Sequence, residues 1–201
     1  MGMWWASEKL YLCGGVRKGT ALGAIVHVVR GFNLYDIPMR CVGLLSDTHG
    51  VWDDAMADFF APCDELWHAG DIGGLALADT MARYRPLRAV HGNIDDAATR
   101  AEYPEYQHFE VEGLWVLMLH IGGAPGHYAA RVVELLAQHR ADVLVCGHSH
   151  ILRVERDASQ GVLYMNPGAS GFFGPHAVRT ALGFQVSGGR VGGLEVWERS
   201  R

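Results

Sequence analysis

Lysine is nearly missing from this chain. Lys9 and Lys18 are the only two in 201 residues, and every basic residue beyond position 38 is an arginine. Positive charge is scarce altogether: 17 Lys and Arg face 22 Asp and Glu, a net charge of -5. That balance argues against a protein that grips nucleic acid by bulk positive charge, although a local patch is still allowed. Cysteine is sparse, and Cys13, Cys41, Cys63 and Cys146 form no CxxC pair. They read as reduced, mostly buried thiols of a cytoplasmic protein rather than a disulfide framework. Long apolar runs are lacking too. The best, residues 21–29, carries His27 and is far shorter than the roughly 18 residues a membrane-spanning helix needs.

Apolar mass and histidine are plentiful. A chain 49% hydrophobic and 19% charged can bury the core of one domain, which excludes a disordered or fibrous protein. The first 38 residues differ from the rest. They hold both lysines, and Lys9, Arg17, Lys18 and Arg30 outnumber Glu8 and Asp36, whereas the remainder sets thirteen arginines against twenty acids. No basic segment precedes an apolar core there and no small-residue cleavage site follows, so the stretch does not read as a signal peptide. A buried-strand pattern begins directly after Met39. The expectation is an N-terminal extension over residues 1–38, either dispensable or an added hairpin or interface element, and a folded domain over 39–201.

From Met39 onward strand and helix signals alternate. Residues 42–46, 65–68 and 87–91 read as buried strands, with helices over 52–60 and 75–84 between them. This βαβαβ pattern implies a parallel sheet covered by helices, with ligands gathering at the carboxyl ends of the strands. The second half changes character. Residues 107–112 and 114–120 around Gly113 predict a hairpin, and 128–139 a helix with Ala129, Val132, Val133 and Leu136 on one face. Residues 142–146 predict another buried strand, and 153–155, 162–165, 181–186 and 194–197 further antiparallel strands. This α/β order fits a mixed sheet, or two sheets face to face with helices outside.

Chemistry-bearing residues fall at the ends of five of these strands: Asp47 and His49, then Gly70 and Asp71, Gly92 and Asn93, His120, and finally Gly147, His148 and His150. Two carboxylates, one amide and four imidazoles without a thiolate suit borderline divalent metals such as Mn, Fe, Zn, Ni or Co. Seven ligands exceed what one metal takes from protein while keeping an open position. Two metals sharing one carboxylate would use them. A lone His at a strand end, or a lone Gly-Asp turn, is an ordinary structural feature. Five such motifs at successive strand ends are not.

The set D-x-H, G-D, G-N, H and G-H-x-H resembles that of the calcineurin-like metallophosphoesterase superfamily, specifically its small bacterial and archaeal phosphodiesterase branch, related to the retromer scaffold subunit. The resemblance spans 39 to about 197. It implies two facing mixed β-sheets flanked by helices, a four-layer α/β/β/α sandwich. It also implies two divalent metals, one held by Asp47, His49, Asp71 and His150, the other by Asp71, Asn93, His120 and His148, with Asp71 bridging. Asp71, Asn93 and His120 are then the residues nearest the chemistry. The implied reaction is hydrolysis of a phosphoester, a diester before a monoester, by a hydroxide shared between metals and aligned for in-line attack on phosphorus. Manganese is among the metals such a site accepts.

Two positions depart from the family pattern. Ile94 stands where many members have a His after the G-N pair, which removes a candidate proton donor to the leaving group. Ile121 follows His120 where Gly is usual, so the local backbone is expected to differ. Every ligand position is nevertheless filled, which favours an enzyme over the alternatives, a scaffold or binding module of the same fold or a phosphomonoesterase. The implied partner is a small phosphoester, with no membrane and with self-association into a homo-oligomer allowed.

Other residues carry lesser expectations. His127, opening the predicted helix, is a candidate substrate contact beside Asn93. His68 and His91 read as structural, Cys146 as packing beneath the site, and residues 166–170 as its floor. Arg179 reads as an isolated surface arginine or a phosphate-steering one, and Trp52, Phe172 and Phe173 as core residues before flanks for a base or aryl leaving group.

Overall fold

The computed structural model describes residues 38–201; the expectation for 1–38 falls on residues outside these, Pro38 apart. In chain order the elements are β1 (Met39–Leu45), α1 (Asp54–Phe60), β2 (Glu65–His68), α2 (Leu75–Tyr84), β3 (Leu87–Ala89), α3 (Ala97–Glu102), β4 (Tyr106–Val111) and β5 (Leu114–Leu119). Then come β6 (Gly123–Ala124), β7 (His127–Tyr128), α4 (Ala130–Gln138), β8 (Val143–Val145), β9 (Leu152–Asp157), β10 (Val162–Pro167), β11 (Val178–Ser187) and β12 (Arg190–Ser200).

Two five-stranded mixed sheets result, ordered β12-β11-β1-β2-β3 and β4-β5-β8-β10-β9. In the first, β1, β2 and β3 run parallel and β11 returns antiparallel along β1. In the second, β5, β8 and β10 run parallel, with β4 and β9 antiparallel at the edges. Alternation along each strand decides which face a side chain meets. Val42 and Leu44 of β1 point into an apolar layer shared with Val116, Met118, Val143 and Val145 of the second sheet. Leu45 points the other way, onto Met56 and Phe60 of α1 and Ala78 and Met81 of α2. Leu117 and Leu144 face Val132 and Leu135 of α4. Three apolar layers therefore separate four structural layers, the α/β/β/α sandwich.

Local chemistry sets the helix starts. Asp53 and Asp96 accept backbone N–H bonds from Met56 and Thr99, three residues on, and so cap α1 and α3. The element α3 and the small β6–β7 hairpin were not expected from the pattern. The predicted helix from 128 begins instead at Ala130, because residues 127–128 pair back onto 123–124.

Candidate metal centre

All seven predicted ligands follow the carboxyl ends of parallel strands: Asp47 and His49 after β1, Asp71 after β2, Asn93 after β3, His120 after β5, and His148 and His150 after β8. The loops continue the sheet hydrogen bonding beyond the strands. Asp47 N–H donates to the Gly70 carbonyl at 3.0 Å, His49 N–H to the Asp71 carbonyl at 3.1 Å, and Gly147 N–H to the His120 carbonyl at 3.0 Å. The side chains converge because the backbone is bent. Asp47, His49, Asp71, His148 and His150 all take left-handed φ values between 48° and 66°. Such values are uncommon outside glycine and persist where the surroundings enforce them, typically at functional sites.

Two clusters form. Ligand atoms of Asp47, His49 and His150 lie within 4.8 Å of one another, as do those of Asp71, His120 and His148. In the first, Asp47 Oδ1 sits 3.1 Å from His150 Nε2, yet that oxygen, His49 Nε2 and His150 Nδ1 are buried without a hydrogen-bond partner. In the second, His120 Nδ1 lies 2.7 Å from the Ala69 carbonyl, to which it donates, so Nε2 faces inward. There it meets Asn93 Oδ1 at 3.1 Å and Asp71 Oδ1 at 3.3 Å. A neutral imidazole would leave three acceptors pointing at one another, an arrangement that calls for a cation. With a proton as that cation, the two groups support each other. Burial by itself raises Asp71, but the hydrogen bond and charge of His120, with the Ile94 N–H, outweigh it and hold the carboxyl below its usual range. Burial by itself lowers His120, and the Asp71 bond, the charges of Asp47 and Asp71 and the Ala69 carbonyl outweigh that and raise it. The N/O donor set and its orphaned buried atoms fit divalent metals.

Several supporting residues were invisible in the sequence. Asp95 is buried and accepts backbone N–H bonds from Gly92, Ile72 and Gly73 at 2.7, 3.2 and 2.8 Å, tying the loop after β3 to the loop after β2. Arg100 of α3 donates Nε to the Asp95 carbonyl and Nη2 to the Asn93 carbonyl, both at 2.7 Å. The one hint was Asp95 standing three residues after a glycine, a spacing that suits a side chain closing a turn. Asn166 is the floor expected of it: its amide donates to the Gly147 carbonyl at 2.8 Å and to Ser149 Oγ. His68 is structural, bonded to Thr48 Oγ1 and accepting from Gly70 N–H. Cys146 is fully buried and in contact range of Gly122, beneath the site.

Other expectations need correction. Arg179 neither lies on the surface nor faces a phosphate. It is 4% exposed, donates to the Ser170 carbonyl and Asp53 at 2.7 Å each, and stacks between Phe172 and Trp197. Phe172 and Phe173 are exposed rather than core, with Phe173 edge-on to the His49 ring, 5.4 Å between centroids. Trp52 does pack inward, stacked on Phe60. His127 lies in β7, exposed, rather than opening a helix. Ile94 is exposed while its N–H donates to Asp71 Oδ1 at 3.0 Å, and Ile121 is exposed while His120 stays in the cluster.

The comparisons agree with this geometry. The profile of the calcineurin-like phosphoesterase superfamily domain matches residues 39–189. A probable metallophosphoesterase of Mycoplasma pneumoniae is 32% identical over 164 residues, covering 78% of this chain and 96% of the relative. Among solved structures, Vacuolar Protein Sorting 29 from Cryptosporidium parvum superposes with a TM-score of 0.63 at 18% identity, over 81% of this chain and 99% of that one. A protein described as a novel archaeal phosphodiesterase gives 0.56 at 19%, over 80% and 99%. The last two carry the fold alone. A family profile spanning every strand of the sandwich but β12, with every motif at its strand end, means that the chain belongs to the calcineurin-like phosphoesterase superfamily.

Proposed function

We propose that this phosphoesterase-family protein is a phosphodiesterase working with two divalent metals, Asp71 reaching both. The observation that carries it is the complete set of converging donors: no ligand position is replaced, and the buried Asp47 Oδ1 and His49 Nε2 lack any hydrogen-bond partner. Asp47, His49 and His150 would hold one metal and Asn93, His120 and His148 the other. When bound, such a pair supplies an activated water at neutral pH and neutralises charge on the phosphate oxygens. The chain's own residues do the positioning. The Ala69 carbonyl fixes the His120 tautomer, Asp95 and Arg100 hold the Asn93 loop, and the exposed Asn93 amide is free to meet a substrate oxygen.

Leaving-group protonation is the weak step. Ile94 has no proton to give, and the neighbouring Asp95 has both oxygens engaged by backbone N–H groups. Good leaving groups such as aryl oxides need no such donor and should turn over fastest. A scaffold role would not require the donor set to stay complete. The test is hydrolysis of bis-p-nitrophenyl phosphate beside p-nitrophenyl phosphate, on chelator-stripped protein refilled separately with Mn, Ni, Co, Zn and Mg. Diester turnover should need metal and should fall at least 100-fold in His148→Ala. Two bound equivalents with no turnover under any metal would overturn the reading.

A further inference from the structure

Two cavities of about 330 Å³ border the Asp71, His120 and His148 cluster without sharing a lining residue. One reaches it at Asn93 and His120, the other at His148, and the His120 and His148 rings lie only 5.2 Å apart between centroids. The chain segment that separates them is the one carrying the unexpected hairpin. Ile121 and Ala129, at its ends, line the first cavity; Gly123, Ala124 and His127, from β6 and β7, line the second. Both walls are largely apolar, Leu119 joining Ile121 in the first and Ile151 and Tyr164 joining Ala124 in the second.

The arginines at the two rims are already engaged. Arg131 pairs with Glu105 and Glu134, Arg153 with Glu155, and Arg100 with the carbonyls of Asn93 and Asp95. A second phosphate or another anionic group would have to displace these bonds, so the walls favour uncharged organic groups. Each volume lies at the small end of ligand pockets, enough for a substituent of about one ring system.

We infer that the two cavities are paired subsites for the two organic substituents of a phosphodiester, with the β6–β7 hairpin as the wall between them. The inference rests on the phosphodiesterase reading and gives it a structural reason. A phosphorus held against the His120 and His148 pair can send one ester arm into each cavity. A monoester fills only one, and a diester with two uncharged ring-sized arms is the substrate class the site fits.

The test is direct binding, so that it does not depend on turnover. Diphenyl phosphate is titrated calorimetrically into Mn-loaded protein, comparing wild type with Ile121→Trp, which fills the first cavity from an exposed position, and Ala124→Trp, which fills the second. His127→Trp, also exposed, serves for the second cavity if Ala124→Trp does not fold. Each folded variant, with metal content unchanged by elemental analysis, should lose at least tenfold in affinity. A smaller loss in the variant of either cavity, or no binding to wild type at millimolar ligand, overturns the paired subsites. Wild type that binds diphenyl phosphate with this dependence yet fails to hydrolyse the nitrophenyl diester would instead overturn the catalytic reading and leave the subsites standing.

Discussion

Gly92 has no room for a side chain. A Cβ there would collide with the Asp71 carboxylate, 2.7 Å from its Cγ. Gly70 is similarly crowded: at φ 94°, its Cβ would sit 2.7 Å from His120 Nδ1. The glycines of the two motifs therefore let candidate ligands approach, Asp71 from the neighbouring strand against Gly92 and His120 from the other sheet against Gly70, as well as turning the chain. Gly92→Ala should displace Asp71, lowering metal content below that of wild type by elemental analysis and cutting kcat/KM by more than tenfold. Full occupancy with full turnover would contradict this. His68 makes a second residue-scale prediction. Its Nδ1 accepts from Gly70 N–H and its Nε2 donates to Thr48 Oγ1, whose own proton goes to the Ile72 carbonyl, so the ring is neutral. Burial pushes the imidazole down to about 4, against the opposing charges of Asp95 and Asp47. Between that value and the ordinary histidine range the unfolded chain takes up a proton that the folded one refuses. Stability is therefore intact above the unfolded value and falls as pH drops toward 4, by on the order of 3 kcal/mol. Urea midpoints of metal-free protein from pH 7 to pH 4 should show this loss, and the slope should flatten in His68→Gln.

At the scale of elements, β11 shows how one buried arginine organises a loop beside the metal cluster. Arg179 fastens Ser170 and Asp53 and lies 4.3 Å from the Phe172 ring, next to the Phe173 that packs on His49. Arg179→Met keeps the bulk but strands the buried Ser170 carbonyl and removes the charged partner of Asp53, which keeps only its cap to Met56 N–H. Chemical denaturation should report a loss of about 2–4 kcal/mol, and a change below ~0.5 kcal/mol would show the network to be idle. Elements with strong periodicity were legible: α2 runs Leu75–Tyr84 as the pattern predicts, and β2 runs Glu65–His68. Short elements were not. The six residues of α3 bury only Thr99, so no apolar stripe announces the helix. The strands β6 and β7 have two residues each and exist because positive φ at Gly123 and Gly126 lets the chain double back. His127 was misplaced for that reason.

Across the whole molecule, the centre draws loops from both sheets: Asp47, His49, Asp71 and Asn93 from the first, His120, His148 and His150 from the second. Cations held there cross-link the two halves of the sandwich in the folded state only. At 100 times the dissociation constant each bound ion adds about 2.7 kcal/mol. Two should raise the melting temperature by roughly 10 °C or more for a domain of this size. Calorimetric scans of metal-loaded and chelated protein check this, and a melting temperature indifferent to chelation would argue that the clusters do not bind. Among the described residues no helix is long and apolar enough to cross a membrane.

The sequence by itself marked seven candidate donors and the strand each follows, because residue types recurring at strand ends are written along the chain. Periodicity left a single mixed sheet open, and the four-layer order followed from the family resemblance that those motifs carry. Only the tertiary structure supplied the contacts that draw these donors into clusters, because Asp47 meets His150 across 103 positions and His120 meets the Ala69 carbonyl across 51. It also decided that Asp95, Arg100 and Arg179 are supports and that Phe172 and Phe173 stand in the open. Residue type alone is neutral on those roles, since a buried carboxylate and an exposed one have the same letter. What separates them is the number of backbone N–H groups that long-range folding brings within reach.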